Sequence, residues 1–187
     1  VKTLRKIFIA IPNTGTIRTE TVSWLLGQKD HVLFMPQAKP HDVCRNVIVN
    51  EFLKTDSEWL LMVDSDVVPP QNVTQMIENN VDICSAFVCA NICGEIIPVG
   101  MTKNSEGYHH EFRHSEPLLH KVDVVGTGCI LIKRKVFDNL SKPYFRFRYD
   151  TEGFLTNGED FDFCERVEED IFFDARFVCK HFTVAAI

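Results

Sequence analysis

Apolar and polar residues follow one another along this chain in blocks that predict strand and helix in turn. Lys6–Ile11 (KIFIAI) is a β-branched run closed by the turn residues Pro12-Asn13-Thr14-Gly15. Thr19–Leu26 reads as a helix and His31–Met35 as a short strand. Asp42 is placed to cap a helix whose apolar positions Val43, Val47, Ile48 and Phe52 follow helical spacing. Trp59–Val63 (WLLMV) carries no polar position, the pattern of a strand buried on both faces. After Asp64-Ser65-Asp66 and Pro69-Pro70, a short helix carries Val73, Met76 and Ile77, and Ile83–Val88 is the next strand. This alternation predicts an α/β fold with a mostly parallel central sheet flanked by helices.

The second half is irregular. Residues 102–120 are polar, hold Gly107 and four of the seven histidines, and read as a long excursion or hairpin. Val122–Val125 and Cys129–Lys133 flank Gly126-Thr127-Gly128, and a short helix follows near Val136–Leu140. Phe145–Tyr149 alternates aromatic residues with arginine. Asn157-Gly158 opens an acidic helix over Glu159–Glu169, followed by strands near Phe172–Phe173 and Phe177–Val184. No repeat or linker divides the 187 residues, so a single domain is expected, and the apolar ending at Ile187 suggests a domain cut from a longer protein.

Charge and cysteine content narrow the class. Twenty Lys and Arg against 26 Asp and Glu leave a formal charge of −6, which argues against salt-driven nucleic-acid binding. The seven cysteines form no C-x-x-C pair; Cys84, Cys89 and Cys93 cluster without a zinc spacing. Reduced, mostly buried thiols and a cytoplasmic location are expected. His109, His110, His114 and His120 lack the spacing of a zinc site. No segment is long and apolar enough for a membrane span, and no signal peptide is read at the start.

Asp64-Ser65-Asp66 is the sharpest chemical feature. It stands at the carboxyl end of a buried strand, where parallel α/β sheets bind ligands. A turn there can bring both carboxylates to one cation, and oxygen ligands suit Mg²⁺ or Mn²⁺ shared with phosphates. Pro12-Asn13-Thr14-Gly15 is placed for a nucleotide, though any βα turn looks similar. Arg45-Asn46 is early in a helix; it can reach an anion or make a surface ion pair. Glu159 and Asp160 stand where carboxylates also simply oppose a helix dipole. His181 has an apolar context that suits a core residue as well as a ligand.

In order and spacing, IFIAIPNTG, Cys44-Arg45-Asn46, LLMVDSDVVPP, VGTGCILIKRKVF, TNGEDFDFCER and CKHFTV resemble a GT-A-fold glycosyltransferase of the family 2 type. The compact length is similar to small glycosyltransferase domains of large algal viruses and phages, which points to capsid glycans and, for a viral protein, to the host cytoplasm. The resemblance implies a nucleotide-binding half over 1–100 and an acceptor-binding half over 101–187. It implies that Pro12, Asn13, Thr14 and Gly15 hold the nucleoside, with Arg45 and Ser65 close by. Asp64, Asp66 and His181 would form the site of Mn²⁺ or Mg²⁺, with Asp64 also facing the ribose. Gly126, Thr127 and Gly128 would lie beneath the donor sugar. The partners implied are a nucleotide-sugar donor, most simply a UDP-sugar, and a glycan or glycoprotein acceptor. Asp160, or failing it Glu159, would deprotonate the acceptor hydroxyl if the reaction inverts.

Two rivals remain on the sequence. LLMVDSDVV also matches the strand-D-x-D signature of haloacid-dehalogenase-type phosphatases, with Asp64 as nucleophile, although two βα units precede it here. A nucleotide-sugar-binding domain without turnover would share most of the same residues.

Overall fold

Side chains along a strand point alternately to opposite faces, so an unbroken apolar run needs a hydrophobic layer on each side. Trp59–Val63 meets that condition, with all five residues buried. Trp59, Leu61 and Val63 enter one core, and Leu60 and Met62 enter the other. The computed structural model describes residues 7–28, 31–92, 95–109 and 118–182, of 91 and 92 the backbone only. Lys6, Cys93, His110, His114 and the expected strand end at Val184 lie outside the described residues.

In chain order the elements are β1 (Ile7–Ala10), α1 (Thr19–Leu26), β2 (Val32–Phe34), α2 (His41–Leu53), β3 (Trp59–Val63) and β4 (Val67–Val68). A 3₁₀ helix over Val73–Asn79 leads to β5 (Ile83–Phe87), β6 (Cys89–Ile92), β7 (Glu95–Pro98), β8 (Gly100–Asn104) and β9 (Gly107–His109). Next come β10 (Leu119–Val122), β11 (Val124–Val125), β12 (Cys129–Lys133) and α3 (Val136–Asn139). The last described elements are β13 (Arg148–Tyr149), β14 (Leu155–Asn157), α4 (Glu159–Arg166), β15 (Ile171–Val178) and β16 (Lys180–His181).

Seven strands form the central sheet in the order β10-β15-β5-β12-β3-β1-β2. β12 and β10 run against the rest, so five of the seven share one direction. This is the expected α/β architecture. α2, α3 and α4 cover one face, through Ile48, Val49, Phe52, Phe137 and Phe163; α1 and the 3₁₀ helix cover the other, through Trp24, Leu25 and Met76. Each such fully buried aliphatic or aromatic side chain contributes about 1.5–3 kcal/mol relative to exposure.

Several local expectations are corrected. Asp42 does not cap α2: Pro40 is the N-cap, and Asp42 sits in the first turn. The buried stripe of α2 is Cys44, Arg45, Ile48, Val49 and Phe52, so Val43, one residue off that stripe, is exposed. α4 ends at Arg166 and not at Glu169. Continuing it would stack Glu168, Glu169 and Asp170 at the negative end of the helix dipole. The two late strands are one strand, β15, with an irregularity between Asp174 and Val178, and then β16. The polar excursion contains the hairpin β8–β9. The six described cysteines are unpaired, and all but Cys89 are buried.

Candidate functional site

β3 delivers Asp64 to the carboxyl end of the central strands, where its amide donates to the Gly128 carbonyl at 2.9 Å. The Val67 amide donates back to the Asp64 carbonyl at 3.0 Å, which closes the D-S-D segment into a turn. β16 pairs antiparallel with β4 and sets His181 opposite Val67. Short-range geometry thus brings Asp64, Asp66, Gly128 and His181 together from three separate stretches of sequence.

Arg45 joins this cluster from α2. Its Nη2 donates to Asp64 Oδ1 at 2.9 Å and its Nε to Glu159 Oε1 at 3.2 Å. Only 3% of the side chain is exposed, so the surface ion pair entertained for it is corrected to a buried clamp. Burial opposes its charge, yet Asp64 and Glu159 outweigh that and hold its pKa above the usual arginine value. Its Nη1 is buried without a hydrogen-bond partner. Asn46, the neighbour expected to reach an anion with it, instead pins another loop. Its Nδ2 donates to the carbonyls of Asp42 and Phe145, and its Oδ1 accepts from the amides of Tyr144 and Phe145.

Gly158 caps α4, and Glu159 and Asp160 form its first turn. Asp160 Oδ1 accepts from the Phe161 amide at 2.8 Å. Burial, and then the charge of Glu159, raise its pKa above the ordinary aspartate value. One glycine makes room for this carboxylate and another for the neighbouring Val99 side chain. A Cβ on Gly158 would lie 2.7 Å from Asp160 Oδ1, and one on Gly126 would meet Val99 Cγ1 at 2.5 Å.

A cleft of about 250 Å³ gathers these groups, lined among others by His41, Arg45, Asp64, Thr127, Asp160 and His181. Gly126, Gly128 and Glu159 also border it. A wider depression of about 530 Å³ lies on the outer side of α2, around Val47, Glu51 and Lys142, but it holds no comparable convergence of groups. Ser65, Asp66 and Pro12-Asn13-Thr14-Gly15 are not part of the cleft wall. The β1 loop is tied down by its own bonds: Gly15 donates to Asn13 Oδ1 at 2.7 Å, and the Asn13 amide to Cys44 Sγ at 3.3 Å. His41 went unnoticed in the sequence; its position one helical turn before Arg45 is the signal that would have found it.

Asp66 and His181 form a pair at the turn. His181 Nδ1 lies 2.6 Å from the Cys89 carbonyl, and Nε2 lies 3.4 Å from Asp66 Oδ2. A carbonyl only accepts, so Nδ1 carries a hydrogen and Nε2 of the neutral ring presents its lone pair to Asp66. Two lone-pair donors facing each other fit a shared proton or a shared cation. In the protonated state the hydrogen bond from His181 lowers the Asp66 pKa, and Asp66 raises that of His181. Among the described residues, no group of three or more His, Cys, Asp and Glu side chains converges to hold a metal on its own.

No protein-family model and no curated protein matches the chain. Solved structures do match. A197 from STIV superposes with a TM-score of 0.70 at 19% identity, over 95% of this chain and 86% of that one. HddC from Yersinia pseudotuberculosis, complexed with GMP-PN, gives a TM-score of 0.53 at 8% identity, over 94% and 93%. A glycosyltransferase involved in the glycosylation of the major capsid of PBCV-1 gives 0.41 at 13% identity, over 71% and 62%. At these identities the first two likenesses establish the α/β fold. No helix among the described residues is long and apolar enough to cross a membrane.

Proposed function

We propose that this chain is a metal-dependent glycosyltransferase of GT-A type, which moves a sugar from a nucleoside-diphosphate donor, a UDP-sugar, to a hydroxyl of a glycan or glycoprotein. The observation that carries the reading is Arg45, which ties Asp64 of the D-x-D turn to Glu159 of the acidic helix across one cleft. Asp160, next to Glu159, is the carboxylate in that cleft with a raised pKa, the property a general base needs. A fold neighbour complexed with GMP-PN supports a nucleotide-type ligand on such a scaffold.

The paired lone pairs of Asp66 and His181 fit Mn²⁺ or Mg²⁺, provided that phosphate oxygens, waters and Asp64 complete its coordination. When bound, such an ion supplies Lewis-acid stabilisation to the departing diphosphate. The rest is the work of the chain. Arg45 holds Asp64 and Glu159 in place, and the Cys89 carbonyl orients the His181 ring. Asp160 takes the proton from the acceptor hydroxyl as it attacks the anomeric carbon.

The test is a panel of nucleotide sugars, with and without Mn²⁺, scored for binding and for slow hydrolysis. Mn²⁺-dependent release of a nucleoside diphosphate supports the reading. Binding without turnover on any acceptor makes the chain a binding domain. Hydrolysis of a phosphomonoester with a phosphoenzyme trapped on Asp64 makes it a phosphatase.

A further inference from the structure

The cleft is short of positive charge for the ligand proposed. Its carboxylates are Asp64, Glu159 and Asp160, with Asp66 at the turn, and Arg45 has two of its three nitrogens committed to Asp64 and Glu159. A diphosphate entering there adds further negative charge. A divalent ion offsets part of it, and a cation from the protein is needed for the remainder.

Arg18 stands beside the D-x-D turn, outside the cleft wall itself. It is the N-cap of α1, is exposed, and makes no ion pair among the described residues. Its backbone amide donates to the Ser65 carbonyl at 2.9 Å, inside the D-x-D turn. The Phe182 amide donates to the Asp66 carbonyl at 2.9 Å, so the residue after His181 is bonded to the same turn. The guanidinium of Arg18 lies over the Phe182 ring, 4.9 Å from its centroid.

Two backbone hydrogen bonds therefore anchor Arg18 and Phe182 to the turn that carries Asp66, and one cation–π contact seats the guanidinium, without an ion pair among the described residues, on Phe182. The aromatic face restrains the long side chain, which lowers the entropy lost when it grips a ligand. A planar guanidinium matches phosphate oxygens with two parallel hydrogen bonds.

We infer that Arg18, seated on Phe182, is the side chain that binds the diphosphate of the donor at the D-x-D turn. This rests on the nucleotide-sugar reading, which does not use Arg18. The role is recognition of two linked phosphates, independent of the base and of the sugar.

The experiment is calorimetric titration of the folded chain with Mn²⁺ plus inorganic pyrophosphate, UDP or uridine. Arg18→Gln should weaken pyrophosphate and UDP roughly 10- to 100-fold, the range of a charge-assisted hydrogen bond, and leave uridine unchanged. Arg18→Lys should recover part of that loss, because charge returns without the planar fork. Phe182→Leu should weaken UDP by a smaller factor, because the guanidinium loses its support. The melting temperature of Arg18→Gln should stay at the wild-type value, since the amide bond to Ser65 does not need the side chain. An unchanged ratio of UDP to uridine affinity in Arg18→Gln overturns the inference. Wild-type protein that binds pyrophosphate through Arg18 but not UDP upholds it and overturns the nucleotide reading. Binding of neither overturns both.

Discussion

Two aspartates two residues apart on α4 have opposite surroundings. Asp162 is fully buried and meets three arginines: Arg166 Nε at 2.6 Å, Arg146 Nε at 3.1 Å and Arg148 Nε at 3.7 Å. Arg166 goes on to donate to the carbonyls of Ser141, Pro143 and Tyr144. This face of the helix is an ion-pair junction that fastens the 141–148 segment to the core. Asp160, on the cleft side of the same turn, accepts a hydrogen bond from the Phe161 amide and shares its surroundings with the Glu159 charge. Buried charge that is fully partnered builds structure; buried charge left short of partners is where chemistry is carried out.

The largest effect should separate these two faces by function. Asp160→Asn keeps the shape but removes the basicity, so transfer should fall roughly 10²- to 10⁴-fold while donor affinity stays within a few-fold. Steady-state rates beside calorimetric donor binding check it. If donor binding collapses and turnover per bound donor is unchanged, Asp160 organises the nucleotide and Glu159 becomes the candidate base. Asp162→Ala should act on the fold instead. It removes the carboxylate that three cations share; Arg166 keeps its carbonyl acceptors, Arg148 keeps Glu165, and Arg146 and Arg148 are half-exposed and screened by water, for a loss of roughly 3 kcal/mol. Denaturant unfolding reads that loss, and a cost within experimental error would mean that the arginines find solvent without penalty.

A smaller effect is expected at His181. The ring is oriented by the Cys89 carbonyl and faces Asp66, so His181→Ala should weaken Mn²⁺ affinity roughly 10- to 100-fold in the presence of nucleotide. The side chain is 23% exposed, so the melting temperature should move little. The reverse outcome, equal metal affinity with a large loss of stability, would make His181 a packing residue.

The contrast between the two aspartates was only partly legible in the chain. Local pattern was enough for α1, whose bounds Thr19–Leu26 coincide with the expectation, and for β3, whose five apolar residues allow no exposed face. It was not enough for Arg45. Its partners lie 19 and 114 residues away, so nothing near it in sequence distinguishes a buried clamp from a surface cation. The same holds for the arginines of Phe145–Tyr149. Their alternation was visible, but their shared target at Asp162 exists only after α4 packs with Phe163 stacked on Phe145. The antiparallel insertion of β12 between β3 and β5 is likewise a long-range pairing that periodicity does not encode.

The smallest effect expected is on stability at Asp160, and its sign is informative. Burial first, and Glu159 second, raise the pKa of Asp160, so the folded state holds its proton more tightly than the unfolded chain does. The stability this carboxyl contributes is therefore complete below the ordinary aspartate pKa and is lost as pH rises through the raised folded value. At neutral pH the ionised side chain works against the fold. Asp160→Asn keeps the oxygen that accepts from Phe161 and removes the charge. Its melting temperature at pH 7 should exceed that of the parent by roughly 2–4 °C, the shift that about 1 kcal/mol makes in a chain of this size. The gain should shrink as pH falls and vanish where both states of the parent are protonated. A variant that melts at or below the parent at every pH would mean that ionised Asp160 is stabilised in the cleft, which would leave no reason to place the base there.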